Sequence, residues 1–154
     1  MKVNCSMKAL LEKYSIDSIA QNHTYPIWHK TDIAGRMYWG VDSFCGMDKH
    51  PICADQDLSL LEWDGNEVYL YAHTKKAVAD MLRNALGILV FWKSELQTRY
   101  SDTSFYLFAS YDHGNRQSIT LRFWADRGEN TVIDLSTFDH WEQPAIMEYI
   151  QRTT

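Results

Sequence analysis

The chain has 154 residues, with 45% hydrophobic and 23% charged residues, which is one domain's worth of protein with enough apolar material to bury a core. Its longest apolar run, Ala85 to Trp92, is far below the roughly 20 residues a membrane-spanning helix needs, and the N-terminus does not read as a secretory signal. A single domain over 1–154 in the cytoplasm is the expectation. The formal net charge of −5 argues against a partner made of phosphates, so neither nucleic acid nor membrane is expected to bind.

In chain order, the apolar spacing from Ser6 to about Gln21 predicts an N-terminal helix with Ser6 as its cap. The aromatic run Arg36 to Val41 predicts a strand, followed by an exposed loop from about Ser43 to Asp57. Leu58 to Trp63 and Glu67 to Ala72, joined by Asp64-Gly65-Asn66, read as a hairpin. Thr74 then caps a central helix over about 75–99, whose stripe of Val78, Met81, Leu82, Ala85, Leu86, Leu89, Val90 and Leu96 keeps helical spacing. Its second half, with Ile88, Phe91 and Trp92, is expected to be deeply buried. Ser104 to Tyr111 and Ser118 to Ala125 read as a second hairpin, Thr131 to Leu135 as a further strand, and Pro144 to Ile150 as a short C-terminal helix. The predicted class is α+β: an antiparallel sheet of about five to six strands packed by the three helices.

The excess charge is concentrated. From Asp42 to Glu67 there are seven acids (Asp42, Asp48, Asp55, Asp57, Glu62, Asp64, Glu67) against Lys49 alone, a net of −6, while the remainder nets +1 from 14 bases and 13 acids. Such a stretch can steer a basic partner, and Trp and Tyr are the residues that anchor protein interfaces. Asp42, Asp48, Asp55, Asp57, Glu62, Asp64, Trp39 and Trp63 are therefore the candidate partner-binding residues; no catalytic residue, metal ligand or cofactor is assigned.

The three cysteines, Cys5, Cys45 and Cys53, are expected as free thiols in a chain this large. Cys45, His50 and Cys53 have metal-binding side chains, but lack the paired C-x₂-C or H-x₃₋₅-H spacing of close zinc sites. They leave an alternative reading, a small thiol- or metal-dependent enzyme built on that loop. Phosphate-binding, dinucleotide-binding and nucleophile-elbow glycine motifs are missing. Tyr106, Phe108, Arg122 and Trp124 could stack on bases if they shared an exposed sheet face, yet no basic stripe accompanies them.

Phe-Tyr-Leu-Phe-Ala-Ser at 105–110, Ile-Thr-Leu-Arg-Phe-Trp-Ala-Asp-Arg at 119–127 and Val-Ile-Asp-Leu at 132–135, ahead of Gln143-Pro144-Ala145-Ile146-Met147, resemble in layout the C-terminal half of some bacterial immunity proteins of contact-dependent growth inhibition and related polymorphic-toxin systems. The resemblance covers about the second half of the chain. It implies a cytosolic protein that binds one cognate toxin domain, often a basic nuclease, and blocks it without catalysis. No binding residue carries over from the family.

Overall fold

The fold is given by a computed structural model that describes residues 1–21, 24–42, 52, 54–114, 116–128 and 132–153. Its elements are β1 (Lys2–Val3), α1 (Cys5–Lys13), β2 (Ile27–Thr31), β3 (Met37–Val41), α2 (Leu58–Gly65), β4 (Val68–Ala72), α3 (Ala77–Arg99), β5 (Phe105–Asp112), β6 (Gln117–Ala125) and β7 (Ala145–Ile150). Five strands form an antiparallel sheet in the order β1-β7-β5-β6-β4, and β2 and β3 form a separate antiparallel pair. The chain is thus α+β.

The β5–β6 hairpin sits where the aromatic and β-branched runs put it, with Leu107 opposite Phe123 and Ala109 opposite Leu121. Period-2 alternation then sorts the side chains. Leu107, Ala109, Tyr111, Ile119, Leu121 and Phe123 point to one face, where they meet Val78, Met81, Leu82, Ala85, Ile88, Leu89, Trp92 and Leu96 of α3 in the main core. Helix α3 begins at Ala77 with Lys76, not Thr74, at the N-cap position and no side-chain cap there; the Thr74 hydroxyl still accepts from the Ala77 amide just ahead of the first turn. Burial of the second half of α3 is one-sided: Ile88, Leu89 and Trp92 are buried, Phe91 is half-buried and Val90 is exposed.

On the opposite face Phe108, Trp124, Ala145 and Met147 form a second apolar cluster with Phe138, roofed by Val132, Ile133, Leu135 and Trp141. The sheet is therefore covered on both sides near β5 and β7. This explains one departure from expectation. Ala145 to Ile150 is a strand, β7, lying between β1 and β5, rather than a C-terminal helix. A strand buried on both faces reads as a continuous apolar run, which periodicity cannot separate from a buried helix. The roof segment also has no strand at 132–135; residue 131 lies outside the described residues.

Leu58 to Gly65 is likewise a helix, α2, and not the first arm of a hairpin. Asp57 decides the matter: its carboxylate accepts from the Ser59 and Leu60 amides, closing the helix N-terminus. Leu58, Leu61 and Gly65 then fall on one buried face at helical spacing. At the N-terminus α1 ends at Lys13, and its cap is Asn4 rather than Ser6. Asn4 is buried and accepts from the Met7 and Ala145 amides while donating to the Gln143 carbonyl, so one side chain caps α1 and ties it to β7. The strands β1 and β2 were not foreseen from the sequence pattern.

Candidate docking face on helix α2

Strand β4 pairs with β6 only from Gln117 to Leu121, so the last four residues of β6 pass beyond its end. Here α2 supplies the missing partner with side chains. Glu62 accepts from the Trp39 amide (3.0 Å) through Oε1 and from the Ala125 amide (2.7 Å) through Oε2. One turn later Asn66 donates to the carbonyls of Trp39 and Phe123 (3.1 Å each) and accepts from the Val41 amide (3.2 Å). Both residues bridge β3 to β6 by satisfying backbone groups that would otherwise be orphaned in the interior.

The Glu62 carboxylate is 0% exposed, and Arg127 completes its shell. The guanidinium donates to Oε2 through Nη1 (2.9 Å) and to Oε1 through Nη2 (2.7 Å), and also reaches the Ser59 hydroxyl and the Met37 carbonyl. Burial pushes the Glu62 carboxyl above the usual carboxylate range, while Arg127 and the two amides pull it back down. The pair is thus a bidentate clamp that fixes α2 against the sheet.

With its inner face fixed, α2 turns Leu60 and Asp64 outward, Leu60 at 49% exposure. Exposed Asp55 and half-buried Asp57 lie at its N-terminal end, where a cleft of ≈ 270 Å³ is lined by Arg36, Asp55, Gln56, Asp57, Ser59 and Arg127. Asp42, at the end of β3, is also exposed. Trp63 is half-buried: its ring lies edge-on to Trp124 at 5.0 Å and under the Arg122 guanidinium at 4.4 Å, and Arg122 is ion-paired with Glu67.

Of the residues singled out from the sequence, Asp42, Asp55, Asp57 and Asp64 reach the surface, and Trp63 does so in part. Glu62 and Trp39 do not, which corrects their assignment to a partner interface. Glu62 is spent inside the clamp, and Trp39 packs edge-on against Phe105 and Tyr100 in the core. Asp48 lies outside the described residues, as do Cys45, His50 and Cys53. Among the described residues no group of three His, Cys, Asp or Glu side chains could hold a metal ion, and Cys5 is an exposed free thiol. Tyr106, Phe108, Arg122 and Trp124 do share one face of the sheet, but Phe108 and Trp124 are buried under the roof segment. That face is not an open stacking platform.

Sequence reasoning missed Leu60, because a strand reading gives it no outward helical position. It also missed Tyr69 and Tyr71 on β4, although alternation with buried Val68 and Ala72 carried the signal. No helix among the described residues is long and apolar enough to cross a membrane. No family model, curated protein or solved structure matches this chain.

Proposed function

We propose that the chain is an immunity protein, a stoichiometric inhibitor that docks the outer face of α2 on a basic toxin domain and blocks that domain's activity. The observation that carries the reading is the exposed Leu60 on a helix clamped by Glu62 and Arg127 and bordered by Asp55, Asp57 and Asp64. An apolar centre with a charged rim is the anatomy of a protein interface, and a helix held rigidly before binding loses little entropy on docking. A nuclease must attract phosphates, so an acidic rim suits such a partner and speeds encounter. The layout resemblance of residues 104–147 to immunity proteins points the same way.

The test uses the protein encoded immediately upstream of this chain's gene, in an inactivated form, and follows binding at low and high salt. A 1:1 complex is expected. Asp55→Ser with Asp64→Ser should slow association roughly tenfold at low salt and flatten its salt dependence, in the range seen for steered pairs. Leu60→Asp should speed dissociation instead. A complex indifferent to all three substitutions, or the lack of any complex, overturns the reading.

A further inference from the structure

Folded proteins protect the open edges of their sheets with short strands, charges or proline, because an unpaired edge is a template for another strand. Of the four edge strands among the described residues, β3 has its outer side met by Glu62 and Asn66, and the other three differ. Strand β1 is two residues long and carries Lys2, and β2 carries His29 and Lys30. Strand β4, Val68-Tyr69-Leu70-Tyr71-Ala72, runs five residues with no charge and no proline, and among the described residues it pairs with β6 alone. No backbone hydrogen bond from its outer side is present among the described residues.

Its side chains are as unprotected as its backbone. Tyr69 and Tyr71 point to the face away from α3, stacked at 6.1 Å with rings 16° from parallel, and they are 48% and 53% exposed. The strand's flanks are of opposite sign: exposed Asp64, and Glu67 in its ion pair with Arg122, precede it, and exposed His73, Lys75 and Lys76 follow it. An antiparallel pairing of this strand with a copy of itself is therefore self-complementary, since each acidic flank meets a basic one.

We propose that β4 is a homodimerisation edge, pairing antiparallel with β4 of a second copy about a two-fold axis at Leu70. The two five-stranded sheets become one of ten strands. Tyr69 then lies directly opposite Tyr71 of the second copy, where cross-strand aromatic pairs interact most closely, and the four tyrosines form one ladder. The arrangement is isologous, so it closes at two copies, with the short, lysine-bearing β1 at each outer end. It uses neither Leu60 on α2 nor Asp55 ahead of that helix, and shares only Asp64 with the docking face.

The register makes the proposal sharp enough to test with charge. Tyr69→Lys with Tyr71→Lys sets like charges opposite each other across the axis, whereas Tyr69→Lys with Tyr71→Glu sets each lysine opposite a glutamate. Sedimentation and light scattering of the full chain over a concentration series should give twice the mass of the 18.0 kDa chain for the wild type. The Lys/Lys variant should be monomeric and the Lys/Glu variant dimeric, both with unchanged circular dichroism. A wild-type monomer at every concentration overturns the dimer. A dimeric Lys/Lys variant overturns the role of β4, and a monomeric Lys/Glu variant overturns the register centred on Leu70. Should either variant misfold, oxidising a mixture of Tyr69→Cys and Tyr71→Cys subunits is the second reading, because the register sets position 69 of one copy against position 71 of the other; failure to form that mixed disulfide-linked dimer overturns the proposal.

Discussion

Arg127 holds the buried carboxylate of Glu62 at both oxygens, through Nη1 at 2.9 Å and Nη2 at 2.7 Å, across 65 residues of sequence. Each oxygen also takes one backbone amide, from Trp39 and from Ala125, so four donors converge on one side chain. The pair joins α2, β3 and the free end of β6, three elements that share no strand ladder with one another.

Removing Arg127 leaves the Glu62 carboxylate without its counter-charge in the interior, and such losses cost about 3–5 kcal/mol. Arg127→Leu is expected to lower the unfolding free energy by that amount, read as a lower urea midpoint with the slope unchanged. Substituting both residues by leucine should not recover the loss, because the Trp39 and Ala125 amides would remain buried without an acceptor. A double variant as stable as wild type would show that the clamp does not bind those amides.

Gly40 on β3 lies opposite Trp28 on β2, and the indole of Trp28 lies across the space where a Cβ at position 40 would be. Gly40→Ala should therefore displace Trp28, costing about 1–3 kcal/mol, the range for forcing extra atoms into a packed site. The check is tryptophan emission beside the melting curve. A stable variant with wild-type emission would mean that the indole does not cover the glycine.

Burial alone would push the Glu148 carboxyl up, but Lys93 and the Met1 ammonium bind it and hold it below its ordinary value. A carboxylate whose pKa is depressed by folding contributes stability above its unfolded pKa and loses it as pH falls through the folded one. Stability of the wild type should thus drop on the acid side of the glutamate range. Glu148→Gln should start less stable at neutral pH and lose less on acidification. Parallel curves for the two proteins from neutral to acid pH would remove Glu148 from the acid response.

Much of the fold was legible because local patterns were strong. The β5–β6 hairpin announced itself through alternation on both sides of a turn, and α3 through a long stripe at helical spacing behind Thr74. Leu58 to Trp63 satisfied a strand pattern and a helix pattern alike, and the Asp57 cap resolved it only once the carboxylate was seen to meet the Ser59 and Leu60 amides. Ala145 to Ile150 was ambiguous for a different reason, since apolar cover on both faces erases the alternation that marks a strand.

The candidate surface divides in the same way. Hydrophobic patterning determined that the chain is α+β, and charge order that its excess acid lies between Asp42 and Glu67. Tertiary structure alone decided which of those acids face solvent. Glu62 and Asp64 are two residues apart and equally charged, yet one is walled in by Arg127 and two amides while the other is exposed. A helix turns successive side chains by about 100° each, so two positions along α2 are enough to carry a carboxylate from the clamp to the surface.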